Sequence, residues 1–399
     1  MTIWQIIHIV EVALWVLLTI SGAYILFFAL VSTLWKQPVS NLAIYLSGKI
    51  RGMRAGSYYR YLVLFPAYGE DRVIVNSVQY FLAQYYPDNS YHVAVISDHM
   101  QDETNEKLSK MPITLLQPVF EKSSKAKAMQ HAMSHIKGDY DFVVILDADN
   151  VVTPDFLSQL NDRCAHGYKA IQCHRCAKNS NNDIAVLDGV SEEINNTIFR
   201  KAHNRIGLSS ALIGSGMCFD YHWFKDNVYK LSTAGEDREL EGLLLRQRVY
   251  VHYAEDIPVY DEKVSNKDNF QRQRLRWMTA QVQSLFRLLP HLPMAILTGN
   301  IDYIDKTIQQ TLIPRSMLIV LSFVFAVVIT IVVPVWGVKW WLLFVFICIS
   351  LYVSTPKALR SHSVFGKILA LPNLVWQMLQ NILKIDHKST DFLHTTHDK

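Results

Sequence analysis

The chain has 399 residues, 50% of them hydrophobic, with a formal net charge of +4 and 5 cysteines, and its mean hydropathy of +0.11 is high for a soluble protein. That length holds one large domain with membrane segments, or two domains. So mild a charge reads as cytoplasmic basic patches and not as a nucleic-acid footprint, and the lone Cys173-His174-Arg175-Cys176 reads as buried thiols in a reducing compartment in preference to zinc.

Val12 to Trp35 carries no charge and is long enough to span a bilayer. It is too long, and wrongly flanked, for a secretory signal peptide. Glu11 stands at one edge, and Lys36, Lys49, Arg51, Arg54 and Arg60 follow the other. By the positive-inside rule the basic side is cytoplasmic. Pro38 to Ser57 reads as a linker, broken by Gly48, Gly52 and Gly56.

The next stretch alternates. Tyr61 to Phe65 is a predicted strand, Arg72 to Gln84 a helix, Tyr91 to Ile96 a strand and Ile113 to Leu116 a short third one. A helix over Lys125 to His135 precedes the apolar, β-branched run Phe142 to Leu146, a fully buried strand. This rhythm predicts a doubly wound, mostly parallel sheet with helices on both faces. Ligands of such sheets bind beyond the carboxyl ends of the strands. Three polar groups stand there: Pro66-Ala67-Tyr68-Gly69-Glu70, Ser97-Asp98 and Asp147-Ala148-Asp149. Asp147 and Asp149 project to one side of an extended chain and suit a divalent cation that bridges phosphates. Thr153 and Pro154 then read as N-cap and first residue of the next helix. Dinucleotide, P-loop, serine-hydrolase and zinc-protease motifs do not occur.

Further on, Gly214-Ser215-Gly216 allows close approach of backbone to a ligand. Glu236-Asp237 opens a helix reaching Gln247, where the macrodipole favours acids whatever their role. In Gln271-Arg272-Gln273-Arg274-Leu275-Arg276-Trp277, a helix would turn Gln273, Arg276 and Trp277 to one face. Arg suits phosphate through its planar donor fork, Trp suits stacking, and a basic helix on anionic lipid is the alternative. Gln281 to Asn300 reads as interfacial. Ser316 to Val338 and Trp340 to Pro356 are uncharged spans with a turn at Gly337 and Lys339, anchored by Trp336, Trp340 and Trp341. Lys357, Arg360 and Lys367 return the chain to the cytoplasm, and Val364 to Lys384 reads as an interfacial helix or a fourth span. The expected division is a membrane helix over 1–36, a linker over 37–60, a cytoplasmic domain over 61–280, interfacial helices over 281–315, two spans over 316–356 and a cytoplasmic helix and tail over 357–399.

In this order the motifs resemble the membrane-embedded, inverting family 2 glycosyltransferases, relatives of the cellulose, chitin and hyaluronan synthases. The residues are Pro66 to Glu70, Ser97-Asp98, Lys125 to Gln130, Asp147-Ala148-Asp149, Gly214 to Gly216, Glu236-Asp237 and Gln273-Arg274-Leu275-Arg276-Trp277. The resemblance implies a GT-A-like α/β fold, a nucleotide-sugar donor (UDP-linked by expectation), and a Mg or Mn ion. It implies that Asp98, with Pro66, Tyr68 and Glu70, lines the nucleoside pocket. Lys125 and Asp147 contact the donor, and Asp149 holds the metal. Asp237 is the catalytic base, with Glu236 beside it. Gln273, Arg276, Trp277 and the Gly214-Ser215-Gly216 turn serve diphosphate and acceptor. A hexose or N-acetylhexosamine would pass to a growing polysaccharide or glycan, or singly to a lipid-linked acceptor. The expected setting is a bacterial inner membrane, with lipid around the protein, room for an export partner and no nucleic acid. The closing His394-Thr395-Thr396-His397 resembles the end of some exopolysaccharide glycosyltransferases and reads as a loose polar tail. A non-catalytic transporter subunit would need charges inside its spans, which the predicted spans lack.

Overall fold

The structure, a computed structural model, describes residues 2–35, 58–179, 182–233, 235–263 and 267–360. Most of the predicted linker, the helix over Val364 to Lys384 and the terminal histidines lie outside the described residues. The strands are β1 (Tyr61–Tyr68), β2 (Tyr91–Asp98), β3 (Thr114–Leu116), β4 (Phe142–Ile145), β5 (Val151–Val152), β6 (Ala170–Ala177), β7 (Met217–Asp220) and β8 (Val251–Asp261). They form one 8-stranded sheet in the order β3-β2-β1-β4-β7-β6-β8-β5. β3, β2, β1 and β4 run parallel, β7 is antiparallel to both neighbours, and β6 and β8 are again parallel.

The apolar strands are buried on both faces, which is why they read as runs and not as alternations. Val63, Phe65, Val95 and Val144 face one core with Ile74, Val78 and Phe81 of the Ile74–Phe81 helix and Phe156 and Leu160 of the Phe156–Ala165 helix. Leu62, Leu64, Val143 and Ile145 face the other, with Met129 and Ala132 of the Lys125–His135 helix and Leu240 and Leu244 of the Glu236–Arg246 helix. β1 and β2 continue past their expected ends, pairing Ala67 with Ser97 and Tyr68 with Asp98. The boundary expected after Asp149 is wrong. The helix after Asp149 begins at Phe156 with Asp155 at its cap. The Thr153 carbonyl accepts from Gln84 Nε2 (2.8 Å), and the Pro154 carbonyl accepts from the Tyr85 amide (2.6 Å). These residues tether the preceding helix and leave the start of the new one to Asp155.

Among the described residues three helices are long and apolar enough to cross a membrane: Ile3–Leu34, Arg315–Val332 and Pro334–Ser354. The break between the last two falls at Val333–Pro334 and not at Gly337. Proline has no amide proton for the helix ladder and forces its predecessor extended, and Val333 sits at φ −140°. Gly337 lies inside the following helix, where a Cβ would come 2.2 Å from Thr330 Oγ1. The first helix starts at Ile3, capped by Thr2 and Gln5, well before the uncharged stretch from Val12. It therefore contains Glu11, which is buried and accepts from Lys339 Nζ (2.8 Å) and from Trp340 Nε1. The spans are thus not free of charge: the first and third share the Glu11–Lys339 pair. Gly22 lies against Phe346 and Ile347, so the first and third helices run in the same direction.

The bundle is joined to the sheet domain by a polar knot. Tyr24 hydroxyl donates to Asp305 (2.8 Å) and lies 3.0 Å from His203 Nε2, while Phe28 stacks on the His203 ring at 3.9 Å. A π-helical stretch, Asn196–Ala202, follows the Asp183–Asn195 helix and buries Ile198 and Ala202 against Leu18 and Ile25 of the first helix. Removing one partner of the Glu11–Lys339 pair leaves the other without compensation. Glu11→Leu and Lys339→Leu should each lower stability in detergent by about 1–3 kcal/mol, and the double variant by less than their sum. Additive losses in chemical denaturation would show that the pair does not couple the helices.

Candidate active site

The carboxyl ends of β1, β2 and β4 open into a cavity of about 500 Å³. Pro66, Tyr68 and Glu70 line it from β1, and Asp98 from β2. Asp98 is buried, its Oδ1 lies 2.6 Å from His99 Nδ1, and Tyr68 packs against the His99 ring at 5.1 Å. His99 escaped the sequence reading. It takes a left-handed φ of 55°, which turns the chain sharply out of β2 and returns its ring over Tyr68.

Asp147 and Asp149 share the site for a reason other than strand alternation. The chain leaves β4 in a turn, closed by the Asn150 amide donating to the Asp147 carbonyl (3.1 Å). Asn150 Oδ1 accepts from the Asp147 amide (3.0 Å) and from Ser215 Oγ. Asp149 accepts from the Glu262 amide (2.8 Å) and from Asn150 Nδ2 (3.2 Å), and Asn150 Nδ2 also donates to Asp261 (3.2 Å). Asp261, at the end of β8, was missed in the sequence, where Asp261-Glu262-Lys263 looks like an ordinary run of surface charges. One carboxylate oxygen from each of Asp147, Asp149 and Asp261 lies within 4.8 Å of the other two. Hard oxygen donors so grouped fit a Mg or Mn ion. Burial works against the Asp261 charge, but Arg175 and Lys263 outweigh it and hold its pKa below the usual range. Lys263 Nζ bridges Asp261 (2.8 Å) and Glu192 (3.3 Å), and Arg175 donates to Glu192 (2.8 Å).

Lys125, the first residue of its helix after the Ser124 cap, reaches into the same cavity. Its Nζ donates to Asp147 Oδ1 and to the Gly214 carbonyl (2.6 Å), and lies 3.8 Å from Glu236 Oε1. Burial pulls its pKa down, yet Asp147 and Glu236 prevail and leave it raised. Gly214 takes φ 85°, and a Cβ there would lie 3.7 Å from Glu236 and 3.8 Å from Asp237. Gly214 thus lines the cavity, whereas Ser215 is buried beneath it, bonded to the Asp147 amide (3.2 Å) and to Asn150. Gly216 faces Val259. Of the expected Gly-Ser-Gly turn, one residue meets the cavity and two support its floor.

Glu236 and Asp237 begin their helix after Gly235, where a Cβ would touch Ala280 at 3.0 Å. That close approach packs the acids against the Lys267–Leu288 helix. Asp237 Oδ1 accepts from the Arg238 amide (2.8 Å), and both acids line the cavity. Burial pushes Glu236 up to about 7, against Lys125 and helped by Asp237. Across the cavity stand Gln273, Arg274, Arg276 and Trp277. Gln273 Oε1 is buried without a hydrogen-bond partner among the described residues. Arg274 donates to Asp188 (2.6 Å) and lies 4.6 Å over the Trp277 ring. Every expected site residue except Ser215 and Gly216 lines this one cavity. The Cys-x-x-C reading is half right: Cys173 is buried, while Cys176 is partly exposed and groups with His174 and Glu193.

Residues 59–280, more than half of the chain, match the glycosyltransferase-like family 2. The chain belongs to this family. It is a glycosyltransferase. A mannosyltransferase from Pyrobaculum calidifontis, solved with GDP-Man and Mn2+, superposes with a TM-score of 0.54 at 15% identity, over 94% of this chain and 96% of that one. This likeness is one of fold, the GT-A arrangement of a mixed, mostly parallel sheet. Weaker and partial likenesses are to S. aureus TarS (TM-score 0.41, 14% identity, 82% of this chain, 54% of that one) and to glucosyl-3-phosphoglycerate synthase from Mycobacterium tuberculosis (TM-score 0.40, 14% identity, 56% and 80%). No curated protein matches the sequence.

The raised pKa of Glu236 makes stability depend on pH. Its neutral form is favoured in the fold, so its contribution is fully present below the ordinary value of 4.5 and is lost as pH rises through about 7. At about 1.36 kcal/mol per unit this is on the order of 3 kcal/mol. Denaturation of the metal-free protein should show that fall between these limits, and Glu236→Gln should flatten it. An unchanged slope in the variant would assign the dependence to other groups.

Proposed function

We propose that the protein is a membrane-bound, inverting transferase that moves a hexosyl or N-acetylhexosaminyl group from a nucleotide sugar, UDP-linked, to a hydroxyl of a glycan acceptor. What carries the reading is that Lys125, the carboxylates of Asp147, Asp149 and Asp261, and the acid pair Glu236-Asp237 face one cavity. Asp98, Pro66, Tyr68 and Glu70 take the nucleoside, and Lys125 and Asp147 the ribose and diphosphate. Asp149, with Asp261, holds a Mg or Mn ion, which supplies electrostatic stabilisation to the departing diphosphate when bound. Gln273 and Arg276 meet the diphosphate, and Trp277 offers a plate for the acceptor sugar.

Asp237 accepts the proton of the attacking hydroxyl. The new C1–O bond forms on the face opposite the C1–O–phosphate bond that breaks, and the nucleoside diphosphate leaves with the electron pair. One ionised carboxylate suffices, because the two-carboxylate scheme of glycoside hydrolysis serves water or a covalent intermediate. Asp237 suits the task better than Glu236, which is pinned beside Lys125 and half protonated near neutral pH. Gly214 contributes its carbonyl to Lys125 and open space beside Asp237.

Further proposals are the kinship with the cellulose, chitin and hyaluronan synthases, the domain division given above, and a cytoplasmic placement of residues 36–315 in a bacterial inner membrane. Basic flanks support the orientation. Exposed Phe286, Met294, Ile296, Leu297 and Ile301 support a segment lying on the bilayer. The cavity also reaches Ile25 and Ile313 to Ser316 of the membrane segments, which favours an acceptor borne on lipid over one in free solution.

Asp237→Asn keeps shape and hydrogen bonding but removes the base. Transfer in a single turnover should fall by about 10²- to 10⁴-fold, about 3–5 kcal/mol of barrier, with donor and metal affinity retained. A wild-type rate from the folded variant would remove Asp237 from the mechanism. For Asp149→Ala, calorimetry of UDP should lose its response to Mn; an undiminished response would clear Asp149 of the metal.

A further inference from the structure

The catalytic cavity has an end that the donor does not need. Its wall there comes from the membrane side of the molecule: Ile25 of the first helix, Phe199 of the π-helical stretch, and Leu312, Ile313 and Pro314 leading into the Arg315–Val332 helix. π-helical turns are rare and concentrate at functional sites. Gln281 of the catalytic helix holds this segment in place, donating to the carbonyls of Gln310 (3.1 Å) and Leu312 (2.9 Å).

Among these apolar groups stands Arg315, which also lines the cavity. Its Nη2 donates to the carbonyl (2.9 Å) and hydroxyl (3.0 Å) of Ser191, both uncharged. Its Nη1 is buried and has no hydrogen-bond partner among the described residues. Arg274, the neighbouring cation on this side, is already matched by Asp188. A buried guanidinium donor without an acceptor is costly, whereas a hydrogen bond between charged groups contributes about 1.5–3 kcal/mol. Guanidinium is shaped for the oxygens of phosphate. Asp147, Asp149 and Asp261 suit a metal-bound donor diphosphate, and Glu192, the acid that acts on Arg315, is already met by Arg175 and Lys263, so Arg315 Nη1 is left for another anion.

Resting on the glycosyl-transfer reading above, we propose that the acceptor is a lipid whose phosphate, placed between its apolar chain and the acceptor sugar, is received by Arg315, with Ile25, Phe199, Ile313 and Pro314 against the first part of the chain. The phosphate is a handle and remains intact. The reacting hydroxyl belongs to the sugar beyond it and gives its proton to Asp237, as C1 of the donor exchanges phosphate oxygen for hydroxyl oxygen. The acceptor would then lie with its apolar chain at Ile25 and Ile313, its phosphate at Arg315 and its sugar at Trp277 and Asp237, all of which line the one cavity.

The test uses the full chain in detergent, preloaded with UDP and Mn so that the donor's diphosphate site is filled. Binding is measured for a short prenyl diphosphate, the prenol of the same length, and free pyrophosphate, to the wild type, Arg315→Gln and Arg315→Lys. The wild type should bind the prenyl diphosphate at least about tenfold more tightly than the prenol, as one charge-assisted hydrogen bond requires, and more tightly than pyrophosphate. Arg315→Gln should lose the preference over prenol, and Arg315→Lys should regain part of it. Affinity for UDP with Mn should stay the same in all three, which also shows that the variants are folded. Equal binding of prenyl diphosphate and prenol by the wild type, or an undiminished preference in Arg315→Gln, would overturn the proposal. Pyrophosphate binding as tightly as the lipid would overturn its lipid part. Failure of UDP with Mn to bind the wild type would instead sink the underlying donor reading, a result separable from the lipid measurement.

Discussion

One largely buried ammonium group holds the site together. Lys125 Nζ sits between Asp147, the Gly214 carbonyl and Glu236, and so ties the turn after β4, the glycine turn before β7 and the acidic helix start to a single point. Acids drawn from separate elements repel one another at such range, and a pair of like charges in low dielectric cannot both stay ionised without compensation. Lys125 supplies that compensation from one side. Lys263 and Arg175 supply it from the other, against Asp261 and Glu192. Between them the carboxylates of Asp147, Asp149 and Asp261 remain close enough to share a cation.

The same pairing of charge continues toward the apolar helices. Glu192 receives Arg175, Lys263 and Arg200, and Arg200 lies in the π-helical stretch that packs on the first apolar helix. His203 and Asp305 then meet Tyr24 of that helix. A chain of paired polar groups thus runs from the carboxylate cluster to the bundle, and a shift of the bundle would be felt at the ends of β6 and β8. The cavity wall and the apolar helices share residues, Ile25 and Arg315 among them.

Much of this was legible in the sequence because it rested on local chemistry. Ser124 caps the helix that begins at Lys125, the run from Phe142 is too apolar for anything but a buried strand, and the acids at the strand ends fell where ligands bind. What was not legible depended on tertiary pairing. Asp261 looks like an ordinary residue of β8 until the irregular register between β6 and β8 sets it beside Asn150. Glu11 read as the edge of a span, because nothing local announces Lys339 and Trp340 as its partners. Thr153 and Pro154 lost their expected places at the helix start as their carbonyls took up Gln84 and Tyr85, and Gly337 looked like a turn although its bare Cα serves to let Thr330 approach. Arg315 precedes the uncharged run from Ser316 and carries no local signal of a site; only the cavity shows what it faces.

The account stands on a single displacement at the donor carbon, with Asp237 on one face and the diphosphate on the other. The anomeric configuration of the product tests this most directly. With a donor sugar linked α to its nucleotide, proton NMR of the first transferred sugar should show the β coupling. An α product would contradict a one-step transfer assisted by Asp237 and would require either a covalent sugar–enzyme intermediate or attack from the face of the leaving group.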